Sequence, residues 1–205
     1  YKSVEDSVNN PEKYYKNNIG SLEVLLEVMK KFHIRNIIFS SSCTVYGNPE
    51  VLPVTESSPF KKAESPYGET KQICESILKD DSSQSVSLRY FNPIGSHNSS
   101  KIGDCSLDKP TNLVPIITEV AIRKRKAITI FGNDYKTVDG TCVRDYIHVV
   151  DLAKAHVKAM DFIYKNPGKH AFNVGTGKGV SVLEAIEIFE KANQLKINYK
   201  IGPRR

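Results

Sequence analysis

This 205-residue chain contains no CxxC pair, no run resembling a membrane span, no internal repeat and no low-complexity tract. Each absence removes a class of protein. Cys43, Cys74, Cys105 and Cys142 stand far apart, with no histidine at ligand spacing, so zinc is excluded and no metal is expected. Unclustered cysteines without a signal peptide fit a reducing compartment, taken here as the cytoplasm. Without a spanning run, a membrane is not an expected partner. An initiator Met is also missing, as is a glycine-rich strand-to-helix turn ahead of the first predicted helix. The chain therefore reads as starting inside a larger domain, with one domain and part of a second.

Hydrophobic residues make up 40% and charged residues 25%, a globular composition with material for a sizeable core. The net charge of +6 permits an anionic partner, and Arg123-Lys124-Arg125-Lys126 is the one concentrated basic run. It follows a predicted helix over Val114–Ile122, where cations favourably meet a helix C-terminus, so nucleic acid is not expected.

The chemistry-bearing stretch runs from Ser42 to Lys71. A buried strand ends in Phe39-Ser40-Ser41-Ser42, a proline-punctuated loop follows, and Pro66-Tyr67-Gly68-Glu69-Thr70-Lys71 opens a helix. A spacing of four puts Tyr67 and Lys71 on one helical face. A nearby ammonium favours phenolate, but lowering a phenol's pKa by about three units takes roughly 4 kcal/mol, so a second positive charge is expected beside Tyr67. With Ser42 at the strand's C-terminal end, where open parallel sheets bind ligands, the three side chains form a set suited to removing a hydroxyl proton.

Elsewhere, periodicity predicts a helix over Pro11–Phe32, strands over Ile34–Ser40 and Ser85–Phe91, a helix from Leu113, and a strand over Ala127–Phe131. An Arg144–Val149 segment, a helix from Asp151 to Tyr164, a strand over His170–Val174, a helix over Ser181–Ala192 and a strand over Ile197–Ile201 follow. Asn92–Asn112 reads as a binding loop, and Arg144 is a candidate anion clamp. Gly175-Thr176-Gly177-Lys178-Gly179 looks like a phosphate-binding turn. Its spacing, however, is GxGxG, the strand after it offers no terminal acid for a ribose, and it does not fit GxxxxGK[ST]. A tight turn is the expectation there.

The blocks FSSSCTVYGNP, SPYGETK, RYFNP, TNLVP, IFGNDY, DGTCVRDYIHVVDLA, FNVGTGKGVSVLEA and GPRR, in that order, closely resemble the UDP-glucose 4-epimerase family of the extended short-chain dehydrogenases/reductases. The match covers essentially the whole chain. The resemblance implies an α/β fold: a Rossmann-like parallel sheet, incomplete in this chain, with a smaller α/β substrate-binding domain. Residues 1–91 would belong to the NAD-binding domain and 92–205 mainly to the substrate domain, with about 144–175 returning to the first.

It also implies NAD as cofactor, a UDP-sugar as substrate, a homodimer, and C4 epimerisation of a UDP-hexose through a 4-keto sugar. Carried over by position, Tyr67 is the base, Lys71 binds the nicotinamide ribose and lowers the Tyr67 pKa, and Ser42 hydrogen-bonds the sugar. Lys2, Asn17 and Phe91 match cofactor-contacting positions. Asn92, Asn112, Leu113, Thr129, Phe131, Arg144 and Arg205 match positions lining the nucleotide-sugar site, and His148 looks structural.

Three departures stand out: Glu69, Thr111, and Cys142 where the family has glycine. A side chain at Cys142 is expected to disturb the loop carrying Arg144 if that glycine has positive φ. Rival expectations are a nucleotide-sugar 4,6-dehydratase, disfavoured because Cys43 and Thr44 cannot act as the elimination acid, and a non-catalytic UDP-sugar-binding remnant. The 205-residue chain alone is expected to be inactive.

Overall fold

The computed structural model describes residues 1–104 and 110–204. Helices α1 (Val4–Asn9) and α2 (Pro11–Tyr14) lead through a π-helical turn, Tyr15–Ile19, into α3 (Gly20–Lys31). Strand β1 (Asn36–Ser42), a tight turn (Cys43–Tyr46), α4 (Pro66–Asp80), β2 (Gln84–Tyr90) and β3 (Asn92–Ile94) follow. Then come α5 (Leu113–Ala121), β4 (Ile128–Phe131), β5 (Val143–His148) and α6 (Val149–Lys165). The last elements are β6 (Lys169–Val174), β7 (Gly179–Ser181), α7 (Val182–Asn193) and β8 (Tyr199–Gly202). No described helix is long and apolar enough to cross a membrane.

These elements form two units. The first takes Tyr1–Phe91 and Asp151–Val174; the second takes Asn92–Val150 and the chain from Gly175 on. Arg144–Val150, placed by the sequence in the segment returning to the first unit, stays in the second. The reason is pairing: β5 lies between β3, to which it is parallel, and β7, to which it is antiparallel.

In the first unit β1, β2 and β6 form a parallel sheet with β2 central. Central position explains the sequence of β2: Ser85 through Arg89 are all buried, as in a strand covered on both faces. Leu22, Leu26 and Met29 recur at helical spacing along α3 and meet Ile37 of β1 with Cys74 and Leu78 of α4 in one apolar cluster. Pro66 suits the first turn of α4, and the Ser65 hydroxyl caps that helix by accepting from the Gly68 N–H at 3.1 Å. The single predicted helix over Pro11–Phe32 is interrupted by the π-helical turn, whose Asn18 amide donates to the Thr70 hydroxyl at 3.3 Å.

In the second unit β4 and β8 pair in parallel, and α5 and α7 enclose Ile117, Val120, Ile128, Ile130, Ile186 and Ile197. Ser181 and Glu184 form a reciprocal capping box at the start of α7. The basic run lies just beyond α5. Lys124 and Arg125 fold back onto Glu119 at 3.3 and 2.9 Å, and Arg123 has positive φ.

Candidate functional site

Strand β1 delivers Ser42 at its C-terminal end, where its hydroxyl accepts from the Thr44 N–H at 3.3 Å and fixes the turn that follows. The first turn of α4 packs directly on that turn. A Cβ at Gly68 would lie 3.3 Å from the Thr44 carbonyl oxygen and 3.4 Å from the Thr44 Cβ, so a larger residue would push the two apart. Close packing brings the phenol of Tyr67 near enough to the Ser42 hydroxyl for the serine to act on its ionisation. Lys71, one turn along, donates to the Ser40 carbonyl oxygen at 2.8 Å, with its ammonium 5.7 Å from the Tyr67 ring centroid and 4.8 Å from that of Phe39. The Tyr14 ring meets Tyr67 edge-on at 6.5 Å.

Burial pushes the Tyr67 phenol up, the Ser42 hydroxyl pulls it back, and the net direction is upward. Burial likewise pushes Lys71 down. In this arrangement, with no dinucleotide present, the Lys71 ammonium is engaged by a backbone carbonyl and desolvation of the phenol prevails. Thr44 Oγ1, beside this pair, is buried without a hydrogen-bond partner.

A polar network that sequence reasoning missed lies behind Ser42. Arg89 of β2, 6% exposed, meets Glu75 of α4 at 2.7 Å and donates to the Tyr46 phenol oxygen at 2.8 Å. Tyr46 donates to the Asn173 side-chain oxygen at 2.6 Å, and Ser41 to Glu75. The guanidinium also donates to the Glu56 carbonyl oxygen at 3.2 Å, tying the long loop to the sheet. The available signal was a charged residue, Arg89, within a strand of small polar and apolar residues.

Of the expected cofactor positions, Lys2 is exposed near the chain's start, Asn17 is exposed on the π-helical turn, and Phe91 follows β2, its N–H donating to the Val174 carbonyl at 3.1 Å.

The second unit contains a cavity of about 790 Å³. Asn92, Asn112, Leu113, Thr129, Phe131 and Arg144, scattered along the sequence, all line it. Arg205 lies outside the described residues. The exposed Arg144 guanidinium donates to the Val143 carbonyl oxygen at 2.7 Å.

Cys142 also lines the cavity near Tyr135, and the thiol, with burial, pushes the Tyr135 phenol up. The expected disturbance at Cys142 is corrected, because its φ is not positive and its carbonyl accepts from the Val182 N–H at 3.0 Å. His148 packs where a Cβ on Gly95 (φ +87°) would come within 2.5 Å of its ring, and it accepts from the Val150 N–H at 3.2 Å, both structural contacts.

The serine, tyrosine and lysine at a strand end and helix start, on a parallel sheet, define a class. Residues 1–175 match the model of the NAD dependent epimerase/dehydratase family, and the chain belongs to that family. Among its relatives, the UDP-glucose 4-epimerase of Pasteurella multocida is 48% identical over 209 residues and that of Homo sapiens 46%. Both alignments cover all of this chain and 62% and 60% of the relative.

Among solved structures, a UDP-glucose 4-epimerase from Bifidobacterium longum in complex with NAD+ and UDP is similar at 49% identity and a TM-score of 0.95. One from Stenotrophomonas maltophila with bound NAD and formylated UDP-arabinopyranose is similar at 42% and 0.96. Each covers all of this chain and 62% of the solved one. The chain thus spans about three fifths of the length of the curated relatives it matches.

Proposed function

We propose that the protein carrying this chain is a UDP-glucose 4-epimerase that interconverts UDP-glucose and UDP-galactose with NAD. The observation that carries this reading is the convergence of Ser42, at the end of β1, with Tyr67 and Lys71, one turn apart at the start of α4, with Lys71 anchored on the Ser40 carbonyl. The residues fit a dinucleotide: Lys2 and Asn17 are exposed and Phe91 follows β2, and with Lys71 and Tyr67 they would hold the cofactor. When bound, NAD would supply a hydride acceptor and donor for the sugar C4 and a positive charge that favours the Tyr67 phenolate.

Tyr67 then accepts the proton of the sugar 4-hydroxyl and later gives it back, so the residue ends as it began. The Ser42 hydroxyl orients both that oxygen and the phenol. Asn92, Asn112, Leu113, Thr129, Phe131, Arg144 and Arg205 would hold the nucleotide, Arg144 gripping phosphate oxygens. In a coupled assay, UDP-galactose is expected to yield UDP-glucose. No C4 inversion with either sugar would overturn the reading, as would a 4-keto-6-deoxy product.

The active form is read as a cytoplasmic homodimer. Val24, Leu25 and Val28 of α3 and Phe32 at its C-terminal cap, 43–64% exposed, offer an apolar stripe for a second copy. The free thiols of Cys43, Cys74 and Cys142 suit a reducing compartment. Leu25→Lys is expected to give monomers in sedimentation velocity; an unchanged dimer would exclude this face.

A further inference from the structure

The loop Gly175–Gly179, which mimics a phosphate-binding turn in sequence, closes around a carboxylate of the chain itself. The Thr176 N–H donates to the two oxygens of Asp145 at 2.8 and 3.0 Å, and the Thr176 hydroxyl donates to Oδ1 at 2.7 Å. The Gly177 N–H donates to Oδ2 at 2.8 Å. Gly177 has φ +73°, the left-handed conformation that turns successive N–H groups toward one point. These are donors of the kind that meet a phosphate elsewhere, and here they are occupied from within.

Asp145 lies opposite Gly179 across the antiparallel pair of β5 and β7. A Cβ on Gly179 would fall 2.4 Å from the Val143 side chain, so glycine permits this close approach. Side chains alternate along a strand, and Arg144 and Tyr146, which line the cavity, therefore leave β5 from the face opposite Asp145. A grip on Asp145 fixes the rotation and register of β5, and with them the direction of its two cavity-lining neighbours.

We propose that this loop is an anion-binding nest whose resident ligand is the Asp145 carboxylate, and that Asp145 is thereby a positioning residue for Arg144 and Tyr146. Its role in UDP-sugar binding rests on the function proposed above; occupancy of the nest does not.

The test uses Asp145→Ala and Asp145→Asn in the protein carrying this chain, with formate as the probe anion. For Asp145→Ala, KM for UDP-galactose should rise about tenfold while kcat changes less than about threefold, and formate should return KM toward the wild-type value. Asp145→Asn fills the same space but turns an amide toward N–H donors, so it should raise KM and ignore formate, as wild type should. Lower kcat at unchanged KM would report fewer folded molecules and overturn the positioning role.

The Thr176 and Gly177 amide signals of Asp145→Ala should shift saturably on formate addition in NMR spectra, and their failure to move would overturn the nest. Should Asp145→Ala not fold, Asp145→Asn decides alone, and an unchanged KM refutes the role. Absence of UDP-sugar turnover in wild type would sink the function instead, while the amide titration still judges the nest.

Discussion

Around Ser42, Tyr67 and Lys71 the first unit meets most of its polar groups from within, the Thr44 hydroxyl excepted: Lys71 by the Ser40 carbonyl, Arg89 by Glu75 and Tyr46. The cavity of the second unit is built differently, with the Arg144 and Asn112 side chains exposed along its wall. A region held by its own contacts sets the geometry of chemistry in advance, whereas one with open side chains is completed by what it binds. Substitutions in the first unit should therefore alter turnover or stability, and those in the cavity should alter affinity.

The largest effect is expected from Tyr67→Phe, which removes the acid/base oxygen at nearly constant volume. Turnover should fall about 10²- to 10⁴-fold with UDP-sugar binding little changed, and steady-state kinetics beside calorimetric titration would show it. Near-normal turnover would remove Tyr67 from the mechanism.

Next comes Arg89→Met, which strands the buried Glu75 carboxylate and should cost about 3–5 kcal/mol in urea unfolding. Adding Glu75→Gln should recover much of that. A double variant no better than the single one would mean that the pair is not the source of the loss.

Arg144→Ala should weaken UDP binding about tenfold while stability stays within about 0.5 kcal/mol, since the side chain is exposed. A loss of stability instead would erase the contrast between the two regions.

The smallest effect is spectroscopic. Without dinucleotide, burial keeps the Tyr67 phenol above its ordinary value of about 10. Because the folded pKa is raised, this group's contribution to stability is full below the unfolded pKa and is lost as pH rises through the folded one. The ultraviolet difference between wild type and Tyr67→Phe should therefore lack phenolate absorbance at neutral pH. A phenolate signal there would return Lys71 to the role the sequence predicts for it.

Long periodic elements were legible because their pattern is local: α3 shows its core face at Leu22, Leu26 and Met29, and Ser85–Phe91 reads as a strand where β2 lies. Ser42, Tyr67 and Lys71 were legible because a strand end and one helical turn suffice to bring them near each other. Strands β3 and β7, three residues each, were not, since such short strands exist only through pairing with the distant β5. Arg89 was visible as an oddity, but its partners Glu75, Tyr46 and Glu56 are brought to it by tertiary folding. The desolvation of Tyr67 was not legible, because the four-residue spacing reports proximity to Lys71 and says nothing of burial.

The chain's three passages between its units also set an order of events during synthesis. Strand β1 is available to β2 as soon as β2 is made, but β6, which pairs along its other edge, is translated only after the whole of Asn92–Val150. Until then Ser85–Tyr90 presents an open row of amide and carbonyl groups flanked by Val86 and Leu88, the kind of edge on which nascent chains aggregate. Delay in the second unit's early segment thus becomes a hazard for the first, and slow translation or a folding defect between Asn92 and Val150 would be felt as lost yield at a strand that the segment does not contain.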